Sequence, residues 1–473
     1  MAVLAAALTV TSGQYGYFRD ELYFRMLPNQ WGYVDQPPLT PFLVRGMSAL
    51  ADEVWAVRVP ASVAAVCAVV LVALVARELG GGALAQGIAA WGYAFGSIPI
   101  AFGHTTITAD WDLVAWVAAS LFVMRAVLRD QPRWWLAAGA VVGLAAWNKL
   151  LISLLVVSLV TGVAVVGPRR VPWRHVLLGA GLAVVLGVSQ LAYQAAHDFP
   201  QLRMAGALTQ DNGAANRVLF VPFLLIMLGP VLVPVWVTGL VSLLTRPVWR
   251  PVRFFGIAFL VALLLTLLTG GSPYYVLGLL AVIYAAGCVR VSEWLATSLR
   301  RRWLALGGIG LNAVVATLVG LPIIPISSVG STLVPAVNQG ARETVGWPEY
   351  VGQVARAYEI LSPSERAGAV VVTTNYGEAG AVARYGPALG LPAVVSGHNE
   401  LADATRPPAG RMPVVVVGRG ALQVASRNAS CTEVSRLDNR RGVDNEEQGQ
   451  PVAICRQPRE SWLAVWPQFR HLD

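Results

Sequence analysis

Apolar stretches long enough to cross a lipid bilayer recur from the start of the chain to about residue 324, and they constrain the fold more than any other feature. They lie near 1–12, 55–76, 84–103, 111–128, 134–147, 150–167, 175–196, 218–244, 254–269, 274–292 and 303–324. The first is about half the roughly 20 residues a span needs. It is therefore either a stub or the true start lies upstream. It has the length of a signal-peptide core, but no Lys or Arg precedes it and no convincing small-x-small site follows. Composition agrees with lipid as the solvent: 56% of the 473 residues are apolar and 13% charged, against about 25% charged in an ordinary soluble domain. The expected fold is an all-α polytopic membrane bundle over 1–324, with about eleven spans, and a small α/β domain over 325–473.

The net charge of +9 suggests nucleic acid until its distribution is read. With the N-terminus cytoplasmic, the inner loops carry Arg77, Arg125, Arg129, Arg133, Arg169, Arg170, Arg174, Arg246, Arg250, Arg253, Arg290, Arg300, Arg301 and Arg302. Their only acids are Glu78, Asp130 and Glu293. That is the bias of the positive-inside rule. The outer loops lean acidic and the tail is balanced, so the basic excess is an orientation signal and nucleic acid is excluded as a partner. An odd number of spans puts the tail on the extracytoplasmic side of the plasma membrane.

In the tail, 369–374 reads as a buried strand, 377–385 as a helix, and 392–396 and 413–418 as further strands. Residues 338–365 read as helical, with Trp347, Tyr350, Val354 and Tyr358 on one face. Cys67 and Cys288 sit inside spans, whereas Cys431 and Cys455 lie in the tail. In an oxidising compartment those two form a disulfide; the alternative is two separately packed thiols.

The first outer loop, within 13–54, is long, aromatic and acidic, carrying Asp20, Glu21 and Asp35 beside Arg19 and Arg25. Its aromatic and leucine content suits helices lying in the membrane interface, one of them starting at Pro37-Pro38. Carboxylates held there can act as a general base or bind a developing cation, against the alternative of a solvated acidic loop. Asp110 and Asp112 open the span near 111–128. Capping and the helix dipole explain one acid there better than two. Lys149, the only lysine, falls between two apolar runs. An ammonium at that depth either snorkels or meets an anion such as a lipid phosphate, and Arg58 is another outer cation of the same kind. The histidines lack metal-ligand spacing, so no metal site is expected. Gly80-Gly81-Gly82 lacks the Lys-Ser/Thr of a phosphate loop.

Taken in order, FRDELYF, GYVDQPPL, TADWDLVAW, GLAAWNKL and GGSPYYVLGLLAV, with the tail segments VVTTNYGEAGAVARYG, VVSGHNE and GVDNEEQGQPVAICRQP, resemble the GT-C superfamily of polytopic glycosyltransferases. The similarity is to the bacterial branch related to dolichyl-phosphate-mannose protein mannosyltransferases and aminoarabinose transferases. It implies a sugar donor linked to a polyprenyl phosphate, used on the extracytoplasmic face. It further implies Asp20 as the first-loop catalytic carboxylate with Glu21 beside it, and Asp35 as a second acid before the prolines. Asp112, Asp110, Lys149, Arg58, Tyr274 and Tyr275 then become donor or acceptor contacts. Two departures stand out: Ser272 precedes the PYY element where relatives often carry Lys, and Leu401-Ala402-Asp403 follows SGHNE in place of aromatic residues and Gly.

The resulting expectation is an inverting transfer of a hexose or pentose from a polyprenyl-phosphate donor to a lipid, glycan or protein hydroxyl, with Asp20 as base and no obligatory cofactor. The alternative is a transporter or flippase for lipid-linked glycans. That class favours internal repeats and mid-membrane ionisable residues, whereas the acids here gather at one outer face. The charge distribution yields a first prediction. A periplasm-dependent reporter fused after Leu472 should be active and one fused after Arg301 silent; the reverse pattern would overturn the orientation.

Overall fold

The computed structural model describes residues 1–168 and 171–473. Arg169 and Arg170, counted above among the inner-loop cations, lie outside the described residues. Contacts divide the chain into two units. The first comprises Met1–Thr11, Gln36–Thr40 and Arg58–Leu321; the second comprises Ser12–Asp35, Pro41–Val57 and Pro322–Asp473. The acidic first loop, assigned above to the membrane part by sequence position, thus groups by contact with the tail.

The first unit is helical, and its helices follow the apolar stretches. Val54–Glu78, Thr108–Leu128, Trp173–Ala196, Pro273–Leu295 and Leu299–Gly320 are each long and apolar enough to cross a membrane. Exposed apolar residues such as Val184, Val185, Val188, Leu311 and Val315 cover the outer faces of two of them, as lipid contact requires. The chain is a multi-pass membrane protein.

The eleven apolar stretches differ in the helices they form. Ala2–Thr11, Trp134–Ala145, Ile152–Val166 and Phe254–Thr269 are apolar but short, at 10–17 residues. The stretch 84–103 breaks into Ala83–Ala94 and Ser97–Phe102 around Phe95-Gly96. The stretch 218–244 belongs to a pair, Pro200–Ile226 and Pro230–Thr245, bent by 74°. Gly229 turns that corner at φ 107° just before Pro230, a backbone that L side chains rarely adopt. Among the described residues five helices are long and apolar enough to cross a membrane, or six if the bent pair is one span.

Small residues let these helices approach closely, as is usual where lipid supplies no hydrophobic drive for association. A Cβ on Gly139 would lie 2.0 Å from the Gly179 carbonyl oxygen, so Trp134–Ala145 and Trp173–Ala196 meet almost backbone to backbone. The helix Leu277–Leu295 is the buried axis of the unit, with Leu277, Leu280, Ile283 and Tyr284 fully enclosed.

The second unit is built on a five-stranded sheet: β1 Val370–Thr373, β2 Val394–Ser396, β3 Val414–Val417, β4 Ser430–Arg436 and β5 Pro451–Arg456. The order is β2-β1-β3-β5-β4. β1 runs parallel to β2 and β3, whereas β5 lies antiparallel between β3 and β4. The valine runs of β1 and β3 are buried on both faces, as parallel strands between layers are. One face, with Val371, Val415, Val417 and Ile454, packs on Trp347–Glu359, Tyr376–Tyr385 and the first-loop residues Tyr17, Leu22 and Tyr23. The other, with Val370, Val372, Val414 and Val416, is covered by Ala421 and Ala425 and by Trp462, Trp466 and Phe469.

The three expected strands and the helix over 377–385 form, the helix as Tyr376–Tyr385. The helical stretch expected over 338–365 is three pieces, Gln339–Arg342, Trp347–Glu359 and Pro363–Arg366, and Tyr358, half-buried, packs against the same core as Trp347, Tyr350 and Val354. β4 and β5 were not foreseen. β4 is an edge strand whose polar residues face outward and lack a buried alternation. In the first loop, Arg19–Met26 and Leu39–Leu50 are helices, the second starting directly after Pro37-Pro38.

Cys431 and Cys455 stand opposite each other on β4 and β5 and form a disulfide. It fastens the edge strand beside a register shift between Glu433 and Ser435. Closing a loop of this length is worth about 3 kcal/mol through the unfolded chain. Both thiols should therefore resist alkylation until a reductant is added, and the Cys431→Ser/Cys455→Ser variant should lose about 2–4 kcal/mol of stability in the second unit. Alkylation of both without reductant, scored by mass spectrometry, would remove the bond.

Candidate active site

In the second unit, the first turn of Arg19–Met26 delivers Asp20 into an aromatic setting. That helix lies on Tyr376–Tyr385 because Gly380 has no side chain: a Cβ there would fall 2.6 Å from Leu22 Cβ. The contact brings the Tyr376 hydroxyl to donate to Asp20 Oδ1 at 2.9 Å. The Tyr376 ring packs against Tyr23 at 4.7 Å and His398 at 4.7 Å, with the Arg19 guanidinium over its face at 4.9 Å. Asp20 is half-buried, so the solvated-loop alternative does not describe it.

Asp35 belongs to the same cluster. Its carboxyl is enclosed, and burial pushes it up to about 7, with the charges of Glu400 and Asp20 adding to the rise and a Tyr23 hydrogen bond opposing it. Glu400, from the SGHNE segment, accepts the Val34 amide at 2.9 Å through Oε2, and its own amide donates to the Tyr23 hydroxyl at 3.4 Å. Three acids, Asp20, Asp35 and Glu400, are thus gathered around two tyrosines. Glu21 differs: it is fully buried and its Oε2 accepts the Phe18 amide at 2.8 Å, which is a helix cap.

Next to this cluster, His398 Nδ1 accepts the Tyr376 amide at 3.1 Å, which puts the ring proton on Nε2, and Nε2 lies against the Asp473 carboxylate. His471 stacks on the same ring at 4.6 Å. The Asp473 contact anchors the ring, and His398, His471 and Asp473 each bring one ligand atom to within 4.8 Å of the others, a group that could hold a metal ion. Burial also raises Glu378, to about 8, and Glu447, to about 7.

The first unit holds a second group of the expected residues. Lys149 follows Trp134–Ala145, and its Nζ donates to the Tyr274 hydroxyl at 3.3 Å. The ammonium sits 5.2 Å from the Tyr274 ring centre and 5.0 Å from that of Tyr275, with the Asp112 carboxylate close enough to act on its charge. Asp112 Oδ1 accepts the Trp116 indole N–H at 3.2 Å. Asn148 fixes the lysine's backbone: its Oδ1 accepts the Thr40 hydroxyl at 2.7 Å and its Nδ2 donates to the Thr108 carbonyl at 2.7 Å. Asp110, by contrast, accepts the Ile107 amide at 3.0 Å and caps Thr108–Leu128. Arg58 is fully buried beside His104, 3.4 Å away, and not at an open outer surface.

The structure therefore groups Asp20 with Asp35, and Asp112 with Lys149, Tyr274 and Tyr275. Asp110 and Glu21 sit at helix starts, and Arg58 in the interior. Reading the sequence missed Tyr23, Tyr376, His398 and Glu400 as individual residues. Tyr376, His398 and Glu400 lie within the NYGE and SGHNE strings and Tyr23 within FRDELYF, but none of the four carries a local feature that singles it out.

The dolichyl-phosphate-mannose-protein mannosyltransferase family model matches residues 35–193, a segment that includes Asp35, Asp112 and Lys149 and excludes Asp20 and the tail. No curated protein matches the chain in sequence. Among solved structures, the chain is similar to ArnT from Cupriavidus metallidurans bound to undecaprenyl phosphate, with a TM-score of 0.67, 14% identity and 96% of each chain covered. The apo form of the same protein matches with a TM-score of 0.63 over the same shares. The chain thus shares the fold of ArnT, and its residues 35–193 match the dolichyl-phosphate-mannose-protein mannosyltransferase family model.

Proposed function

We propose that the chain transfers a sugar from a polyprenyl-phosphate-linked donor to a hydroxyl acceptor on the extracytoplasmic face, with inversion at the anomeric carbon. The observation that carries the reading is Asp20, a half-buried carboxylate held by the Tyr376 hydroxyl at 2.9 Å. Asp20 takes the proton of the acceptor hydroxyl as that oxygen bonds to the anomeric carbon. The bond from that carbon to the phosphate oxygen breaks, and the polyprenyl phosphate leaves with the electron pair. Phosphate is a good leaving group, so the step needs no general acid and no obligatory cofactor. Tyr376 is a positioning residue: its hydrogen bond fixes one carboxylate oxygen. Asp35 and Glu400 shape the acceptor side.

Lys149 supplies positive charge for the donor phosphate, with Tyr274 and Tyr275 holding its ammonium in place. The family match over the segment containing Lys149 and the undecaprenyl phosphate bound to ArnT support a donor of this class. The inner-loop arginine bias supports the extracytoplasmic side for the tail.

Three measurements follow from these roles. Asp20→Asn keeps an oxygen for the Tyr376 bond and loses the base. It should insert and fold normally yet transfer sugar at least about a hundredfold more slowly in initial-rate assays with a defined polyprenyl-phosphate sugar. Near-normal turnover would remove the base role. Lys149→Ala should raise the KM for the donor, because the phosphate charge is present in both ground and transition states.

Asp35 adds a pH dependence. A carboxyl raised on folding stabilises the protein while protonated; that contribution is whole below about pH 4 and is lost as pH climbs through about 7. Between pH 5 and 8.5, the unfolding temperature of the native chain should fall relative to that of Asp35→Asn. The comparison cancels the other raised carboxyls. Parallel curves would show that Asp35 is already ionised at pH 5.

A further inference from the structure

Three carboxylates in the second unit converge without enough cation to balance them. Glu343, Glu446 and Glu447 each bring an oxygen to within 4.8 Å of the other two. Glu343 is 2% exposed and Glu447 fully buried. One oxygen of each buried acid is held: Glu343 Oε1 accepts Arg342 Nε at 3.1 Å, and Glu447 Oε1 accepts Asn375 Nδ2 at 3.2 Å. The second oxygen of each, Oε2, is buried with no hydrogen-bond partner. Leaving a buried charged acceptor unmatched costs more than the ordinary 1–3 kcal/mol or so for a neutral group. Glu378 lies near enough to act on the same charges. Against these four carboxylates stand the guanidiniums of Arg19, paired with Glu446, and Arg342. With all four ionised the imbalance is two negative charges, and without a cation it is relieved by protonation, as the raised Glu378 and Glu447 show.

We propose that Glu343, Glu446 and Glu447 bind one calcium ion. An all-carboxylate donor set suits a hard cation. Ca²⁺ takes carboxylate oxygens at roughly 2.3–2.6 Å in flexible geometry, whereas Mg²⁺ demands near-ideal octahedral geometry at roughly 2.0–2.1 Å and keeps several waters. Glu446 is exposed and offers a way in from solvent. The ion would clip Glu343, which precedes the helix Trp347–Glu359, to the 446–447 turn. Through the Arg19–Glu446 ion pair it would also steady the helix turn that carries Asp20. Its role is positioning, separate from the donor phosphate.

The test uses the full chain purified in detergent, stripped with EDTA and returned to CaCl₂ or MgCl₂. Binding is read by calorimetry and stability by thermal unfolding. The native chain should bind one Ca²⁺ saturably and unfold several degrees higher, the gain growing with the logarithm of free Ca²⁺. Glu447→Gln and Glu343→Gln should each lose that gain. Each also relieves repulsion in the metal-free protein and should unfold no lower than the stripped native chain, so lost response is separable from lost folding. Absence of saturable Ca²⁺ binding would overturn the proposal. So would an equal or stronger response to Mg²⁺, or an undiminished calcium gain in both variants.

Discussion

The close approach of Leu22 to Gly380 sets the geometry on which the acidic cluster depends. Because Gly380 offers only a hydrogen, the helix Arg19–Met26 rests directly on Tyr376–Tyr385, and Leu22 is fully buried there. Any larger side chain at that position would push the two helices apart, at a typical overpacking cost of about 1–3 kcal/mol. The separation would also draw Asp20 away from the Tyr376 hydroxyl. A packing contact between apolar groups thus controls a hydrogen bond to the proposed base. The sheet makes that control firm: Val371, Val415 and Ile454 share a buried core with Leu22, Tyr23 and Trp347.

The helical part of the fold was legible in the sequence because lipid enforces a simple rule on composition. Every apolar stretch read from the sequence has a helix under it, and Pro37-Pro38 does start one. Lengths were less legible. The breaks at Phe95-Gly96 and Gly229-Pro230 lie inside apolar runs, where the length of the run masks the Gly and Pro that end each helix. β4 escaped notice for the opposite reason: an exposed edge strand carries no alternation for a pattern to find. The candidate site divides along the same line. Asp20, Asp35, Asp112 and Lys149 stand out as charges in apolar or aromatic surroundings. Tyr376, which meets Asp20 from 356 positions away, has nothing local to mark it.

The two groups of polar residues treat buried charge in contrasting ways. In the first unit the lone lysine is matched within reach: a tyrosine hydroxyl, two aromatic faces and the Asp112 carboxylate surround one ammonium. Such a charge is already compensated before any phosphate arrives, which limits the desolvation cost of holding it among apolar helices. In the proposed role, a donor phosphate would add to a settled cation instead of rescuing an exposed one. Asn148, tied to Thr40 and to the Thr108 carbonyl, keeps the chain that bears the lysine from shifting when that happens.

The second unit accumulates negative charge instead. Asp35 shares its surroundings with Asp20 and Glu400, and its elevated proton affinity comes first from burial, with those like charges adding to it. Asp20 stands beside these groups, with the Tyr376 hydroxyl on one of its oxygens at 2.9 Å and the Arg19 guanidinium over the tyrosine ring. For a carboxylate proposed as a base, such a bond fixes the direction in which the free oxygen points. The two partners come from the first loop and from the start of the helix Tyr376–Tyr385, more than three hundred positions further along the chain.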